Sequence, residues 1–360
     1  MSLPTTGAER ARHDIAQAFS QYDVFENLNK MISTTVLSYH NVMTPNGDYP
    51  VIPIKQWMAN PQNPGSQAAG HAARRAPSGA YVESDMSFTE ATYKTLEHGL
   101  TGVLDETMLN HYRSVYDWEV AIAARELHKL LVQQEIRAAA ALFSTVTFPA
   151  SAYTGQSMDA GEYRDDLTTV GTAVPWSDLA ASTPIRDVAV AQRKVFNKFG
   201  YYPKTMIVNE TTMNLLRRNA ELATKWEASG AGMVTTQPAM TNAKIAEVLN
   251  LHEILVGAAV QDSAGPAAAF AGAHIWGNGA LICKRCTTGD IAEVGLGHTF
   301  RWTGDTAMNS PTVSSTFDAS GGVFVEEYYD VNIRRRKLRV RHQNGVEIKY
   351  AIGEFITNTI

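Results

Sequence analysis

The residue pattern with the sharpest chemical reading is Cys283-Lys284-Arg285-Cys286, two thiols three positions apart with two cations between them. That spacing suits dithiol redox chemistry or one half of a zinc site. A tetrahedral structural zinc needs two further ligands, and these are the only two cysteines of the chain, so no second pair completes it. In a strand, residues three apart also point to opposite faces. The expectation is two ordinary reduced thiols. The ten histidines are scattered, with no His-x-x-x-His pair and no His-Glu-x-x-His arrangement. The glycines at 229–233 are not followed by Gly-Lys-Ser/Thr, and no Gly-x-Ser-x-Gly elbow occurs, so neither a phosphate cradle nor serine hydrolase chemistry has an anchor. No catalytic residue, cofactor or metal is assigned, and the chain reads as a protein that is not an enzyme.

What remains is ionic. Arg334, Arg335, Arg336, Lys337, Arg339 and Arg341 crowd one segment, and Glu326, Glu327 and Asp330 lie just upstream. As a strand, this segment would set Lys337, Arg339 and Arg341 on one face, opposite Leu338 and Val340. Three readings stand: a solvated face, acid–base pairing between identical subunits that fixes their register, or a local contact to DNA. The inter-subunit candidates are Glu326, Glu327, Asp330, Arg335, Lys337, Arg339 and Arg341, joined by His71, Arg74 and Arg75 from a loop described below. Thirty-one Lys plus Arg against thirty-six Asp plus Glu give a net charge of -5, which argues against tight nucleic-acid binding by the whole surface.

Such groups need a body to hold them. With 360 residues, 44% of them hydrophobic, the chain can bury one large core or two modest ones. It has no run of eighteen apolar residues, and its first residues lack a basic start leading into an apolar stretch. The expectation is no membrane span and no secretory signal, a chain that stays in the cytoplasm where it is made.

Residues 1–49 carry one helical pattern (Ile15, Phe19, Val24, Phe25, Leu28), closed by the breakers Pro45, Asn46, Gly47, Asp48 and Pro50. They read as an arm with too few apolar residues to fold alone. Residues 50–102 hold ANPQNPGSQAAGHAARRAPSGAY between a strand at 51–54 and another within 81–95. This predicts a long two-stranded ribbon with a loose tip, which is marginal in isolation. Both segments imply a neighbour to lie on.

The spacing of Val120, Ala124, Leu127, Leu131, Ala138 and Leu142 predicts a helix over 110–144, about 50 Å long at about 1.5 Å per residue, with Arg125, Glu126, Lys129, Gln133 and Arg137 on its polar side. Thr183 as N-cap, Pro184 at the first position and Gly200 at the end bracket a second helix whose buried face is Ile185, Val188, Val195, Phe196 and Phe199. A strand at 205–208 follows, then a helix capped by Asn209, a helix over 242–249 and a strand at 254–256. Two hairpins are predicted, one across Gly277-Asn278-Gly279 and one across Asn344-Gly345.

Several of these segments, Trp176-Ser177-Asp178, Ser182-Thr183-Pro184-Ile185-Arg186-Asp187, Gly200-Tyr201-Tyr202-Pro203-Lys204-Thr205-Met206-Ile207-Val208, KIAEVLNLHEILVG at 244–257 and Trp276-Gly277-Asn278-Gly279, form an ordered series. In order and spacing the series resembles the major capsid proteins of tailed double-stranded DNA phages, with the Hong Kong 97 fold. The resemblance runs from about residue 70 to the end. It implies an α+β fold divided into an N-terminal arm (1–49), an extended loop (50–104), a spine helix with the first part of a peripheral domain (105–175), an axial domain (176–322) and return strands of the peripheral domain (323–360). It implies a structural protein that self-assembles as pentamers and hexamers into an icosahedral head enclosing double-stranded DNA, located in the virion and assembled in the host cytoplasm. Portal, scaffolding and cement or decoration proteins would be its partners, with no membrane. Relatives that lock their shells covalently use a lysine near the loop tip; residues 61–81 have none, so a non-covalent shell is expected. An encapsulin-like compartment of the same fold, and a soluble α/β enzyme using Cys283 and Cys286, are the rival readings.

Overall fold

The computed structural model describes residues 10–11, 30–54, 77–79, 88–105, 107, 111, 117–144, 146–148, 174–228, 240–265, 267–303, 323–330, 334–357 and 359–360. In chain order the elements are β1 (Arg10–Ala11), α1 (Ser33–Val36), β2 (Tyr39–Val42), β3 (Asn46–Val51), β4 (Thr89–Lys94), β5 (Leu96–Asp105), α2 (Trp118–Leu142), α3 (Pro184–Phe199), β6 (Thr205–Asn209), α4 (Glu210–Arg218), α5 (Ala220–Ala228), α6 (Asn242–Val248), β7 (Glu253–Gly257), β8 (Val260–Asp262), β9 (Gly272–His274), β10 (Gly279–Cys283), β11 (Gly297–Trp302), β12 (Phe324–Asp330), β13 (Arg335–Ile348) and β14 (Gly353–Thr357). The class is α+β, as expected.

One sheet is built around β13. Its first half lies between β12 and β5, both antiparallel to it, and its last residues pair with β11, which carries β2 in parallel on its far side. Since Asn344 pairs with both Leu96 of β5 and Arg301 of β11, β11 continues the edge that β12 occupies. β1 adds two residues to β12. The second sheet has the order β14-β10-β6-β7, with β6 and β7 parallel and the rest antiparallel.

Period-two alternation explains why the middle of this second sheet is buried on both faces. Met206 and Val208 of β6 and Ala280 and Ile282 of β10 face a core shared with Val188, Leu216 and Ile245 from α3, α4 and α6. Ile207, Leu281 and Cys283 face the other way, onto Ala138, Ala139 and Leu142 of α2. The first half of α2 packs Ala123, Leu127 and Leu130 on Leu338 and Val340 of the other sheet. One helix therefore splints both sheets, and each of its fully buried leucines, Leu130 and Leu142, contributes roughly 1.5–3 kcal/mol of apolar burial.

Several expectations require correction. α2 has 25 residues and is about 38 Å long, shorter than the pattern at 110–144 suggested. Asn46, Gly47, Asp48 and Pro50 do not break the chain; they form β3, paired with β4 from Asn46↔Lys94 to Val51↔Thr89, a site where a two-stranded ribbon tolerates proline. Residues 96–105 belong to the main sheet, so the expected loop of 50–104 ends before β5. Neither hairpin forms. β9 pairs with β8, and the glycines at 277 and 279 instead link the β8–β9 hairpin to β10. Asn344 and Gly345 lie inside the continuous β13, where a Cβ on Gly345 would fall 2.1 Å from the Lys94 carbonyl oxygen. That glycine permits a close backbone approach and makes no turn. β14 pairs with β10, so the last strand joins the sheet of β6 and not the one expected for 323–360.

The cap positions around α3 are as read, but the chemistry differs. Gly200 takes the left-handed conformation at φ 66, whereas the Thr183 side chain makes no cap bond, and the amide of Ile185 donates instead to Glu221 Oε2 at 3.1 Å. Phe196 is exposed rather than buried. α5 was not anticipated. The helical pattern at 15–28 and the side chains His71, Arg74 and Arg75 lie outside the described residues.

Candidate assembly surfaces

Three places gather the polar and aromatic side chains that could organise contacts beyond the core. The first is internal, on α2. Glu135 is fully buried, and its carboxylate accepts from the amides of Ile32 (2.8 Å) and Ser33 (2.9 Å), at the start of α1, and from Trp276 Nε1 (2.7 Å). Trp276 is itself fully buried and closes against Gly257, where a Cβ would sit 2.3 Å from the indole. One carboxylate thus binds the segment leading from the arm, the splinting helix and the second sheet's linker.

Beside it, Gln134 donates to the Tyr39 hydroxyl (2.6 Å) and accepts from Asn344 Nδ2 (3.2 Å), and Arg137 Nη2 donates to Asn344 Oδ1 (3.0 Å). Burial pushes the Tyr39 phenol up to about 12. Burial, reinforced by Arg137 and His98, pushes His342 down to about 3, so its imidazole stays neutral between them. Polar residues on the buried side of α2 were missed. The signal was present: the apolar stripe jumps from Leu131 to Ala138, and the vacant turn is filled by Gln134 and Glu135.

The second place is the ionic face of β12 and β13. Glu326 accepts from Arg339 Nε (2.6 Å) and from Arg341 Nε (3.0 Å) and Nη2 (2.9 Å). Lys337 reaches Asp330 at 2.8 Å, Arg336 meets Glu119 at 2.9 Å and Glu327 at 3.4 Å, and Arg335 lies 3.6 Å from Asp105. The hydrogen bond to Asp330 raises the Lys337 ammonium above its ordinary value. Leu338 and Val340 are buried on the opposite face, as the alternation required. Acids and bases of this cluster thus pair within one chain, across β5, β12 and β13 and from β13 to α2. Arg335, Arg336, Lys337, Arg339 and Arg341 each face a carboxylate, which leaves a phosphate backbone little uncompensated charge there. Arg334 enters β13 with φ 48, a left-handed backbone unusual outside glycine.

The third place is the root of the ribbon. Tyr93 stacks on Phe300 at 4.6 Å between centroids, Tyr49 lies 5.3 Å from the same ring, and the Tyr93 hydroxyl meets Thr44 Oγ1 at 2.8 Å. Of the ribbon's twelve residues only Tyr49 and Tyr93 are buried, so the pair of strands is held at its base and offers the rest to its surroundings.

The two thiols are buried and free. Burial pushes Cys283 up to about 12 and Cys286 up to about 11, which keeps both protonated and poor as nucleophiles or metal ligands. Among the described residues no helix is long and apolar enough to cross a membrane, and no group of three or more His, Cys, Asp or Glu side chains converges on a metal-sized site.

No protein-family model matches the chain, and no curated protein matches it. Solved structures do. A phage-related protein from Bordetella bronchiseptica, 14% identical, superposes with a TM-score of 0.61 over 98% of this chain and 99% of that one. A capsid structure of the cyanophage P-SCSP1u (10% identity, TM-score 0.49, 88% of this chain and 84% of that one) and the mature capsid of bacteriophage PhiM1 (11%, 0.45, 88% and 84%) are more distant. Nearly end to end, then, this chain is folded like the phage-related protein of Bordetella bronchiseptica.

Proposed function

We propose that this chain is the major capsid protein of a tailed double-stranded DNA phage, built on the Hong Kong 97-type fold, and that it has a structural role with no catalysis. The observation that carries the reading is the coincidence of fold, over 98% of the chain, with a phage-related protein. It is supported by the ordered series of motifs from Trp176 to Gly279 and by a ribbon that leaves most of its surface unburied just before a splinting helix. The enzyme alternative loses its chemistry, because both thiols are buried and protonated.

On this reading the stretch of the arm (1–49) between β1 and α1 and the part of the loop (50–104) that precedes β5 lie over neighbouring subunits, while 176–322, apart from β11, forms the axial domain and 105–175 with 323–360, apart from β14, supplies the peripheral domain. Identical subunits meeting head to tail close into rings of five and six. Many weak contacts per subunit then sum to an avidity no single contact has. His71, Arg74 and Arg75 of the loop are proposed contacts between subunits. Within the ionic cluster, Arg335 is the best of the proposed contacts, since it is the most exposed of the paired cations and its own partner is the most distant. Glu326, Glu327, Asp330, Lys337, Arg339 and Arg341 would reach a neighbour only by sharing their present partners. Packaged DNA carries one charge per about 1.7 Å of axis, and a near-neutral inner wall, in keeping with the net charge of -5, holds it loosely enough to slide. Portal, scaffolding and cement proteins are the expected partners, and the virion is the expected location.

The test is electron microscopy of the purified protein, which should form closed icosahedral shells, paired with a deletion of residues 62–78, which should leave a folded subunit unable to close them. A protein that stays monomeric at high concentration, or a deletion that assembles normally, overturns the reading.

A further inference from the structure

The second sheet carries a projection at one end and an aromatic patch at the other. β8 and β9 pair as a hairpin whose base is the Ile275 amide donating to the Ala259 carbonyl at 3.1 Å. It leaves the sheet where β7 finishes and returns where β10 begins. From 258 to 283 the only charged residue is Asp262, and the tip sequence is rich in alanine with one aromatic ring, Phe270, 71% exposed.

The tip is braced. Asp262 Oδ1 accepts from the amides of Ala264 and Ala271, both at 3.0 Å, which holds its carboxyl below the usual range, and Ser263 bonds the Ala271 carbonyl through both its amide (3.0 Å) and its hydroxyl (3.1 Å). The Phe270 ring lies over Gly272, where a Cβ would meet it at 3.1 Å. A bare ring on a braced uncharged tip loses little conformational entropy on docking.

The patch lies at the opposite end of the same sheet. Phe196, at the last turn of α3, stacks on Tyr202 at 4.4 Å, and Tyr201 lies under Lys284 Nζ at 4.5 Å. All three rings are between 37% and 45% exposed. They precede β6 or border the end of β10, and since β10 is antiparallel to β6 and β7 parallel to it, this is the end of the sheet farthest from the hairpin. Lys284 lies over Tyr201, Lys198 and Lys204 flank the rings in sequence, and although Glu253 and Glu354 lie at this end paired with Arg285 and Lys194, the patch is net positive against the lone Asp262 carboxylate of the hairpin.

We propose that the β8–β9 tip docks on the Phe196–Tyr201–Tyr202 patch of a second copy of this chain, as a head-to-tail contact that closes a ring. A single chain carries both halves of the contact at opposite ends of one rigid sheet, with opposite charge, and that is the arrangement a heterologous interface between identical subunits requires. The contact is small and weak alone, and ring closure supplies its strength. It deepens, and rests on, the shell-forming role proposed above by naming the residues of one subunit interface.

The test is chemical cross-linking with a short bismaleimide, in protein variants Phe270→Cys, Tyr202→Cys and the two combined; the native thiols are buried and do not compete. The combined variant should give a ladder of linked oligomers, either single variant alone should stay monomeric on a denaturing gel, and an equal mixture of the two single variants should give dimers only. No ladder, or dimers from Phe270→Cys alone, overturns the contact. Phe270→Ser, at an exposed site, should keep the far-ultraviolet circular dichroism of the parent while losing rings; rings that persist also overturn it. Closed shells without the ladder would refute this contact and leave the shell-forming role standing; a ladder in protein that never closes shells would do the reverse.

Discussion

Replacing Glu135 with glutamine tests whether one buried carboxylate holds α1 against α2 and the second sheet. Glu135 Oε1 accepts from the Ile32 amide and Trp276 Nε1, and Oε2 accepts from Ser33. A glutamine keeps one accepting oxygen for the first two, and then its NH2 confronts the Ser33 N–H. The loss is one charge-assisted bond, about 1.5–3 kcal/mol, plus two buried donors without acceptors at about 1–3 kcal/mol each. Relief from burying a charge offsets part of this. The net cost comes to about 3 kcal/mol, and it falls on the docking of α1 first. Amide hydrogen exchange at Ile32 and Ser33 reads it directly: about 1.4 kcal/mol is a factor of ten, so exchange there should accelerate on the order of 100-fold. Trp276→Phe removes a donor and leaves the carboxylate two others, so it should cost less, and the double variant should fall short of the sum by about 1 kcal/mol. If Glu135→Gln leaves exchange at both amides within threefold of the parent, the carboxylate does not fasten α1.

Glu326→Ala removes the carboxylate that Arg339 and Arg341 share, leaves Arg341 its contact with Glu97, and should destabilise the subunit by about 2–3 kcal/mol in urea, more than Asp330→Ala. Gly345→Ala forces a methyl onto the Lys94 carbonyl and should cost about 3 kcal/mol or prevent folding, seen as lost soluble yield. His342 is held neutral with its value depressed to about 3, so its contribution is complete above the unfolded value near 6.5 and drains away as pH falls from there toward 3; His342→Gln should flatten that acid limb of a stability–pH curve. Cys283 and Cys286 should resist a thiol reagent in the native protein at pH 8 and react fully once the chain is unfolded.

Local grammar made much of this fold legible. Pro184 and Gly200 bracket α3 because their backbone preferences act within a turn, and β6, α4, α6 and β7 follow from short apolar runs with polar caps. Long-range pairing was not legible. Gly345 reads as a turn until Lys94, from a distant strand, is seen pressing on it. Gln134 and Glu135 fall in neither the apolar nor the polar stripe, and their place shows only once Tyr39 and Asn344 are seen on the first and α1 and Trp276 on the second. The ionic segment was found from composition, but the partner of each cation depended on the β12–β13 register, with Glu326 opposite Arg339. Phe196 was placed in the core by helical period alone, although it sits on the last turn, where Tyr202 supplies a stacking partner at the surface.

The pairing of β5 with β13 also sets a clock on biosynthesis. Thr101 lies opposite Arg339, and Tyr39 of β2 opposite Thr299, so the main sheet joins strands from the beginning of the chain to strands near its end. Until β11 emerges from the ribosome β2 has no template to zip onto, and until β13 emerges β5 has none. The main sheet is thereby a late-folding unit, completed only when pairing across a large sequence separation can form.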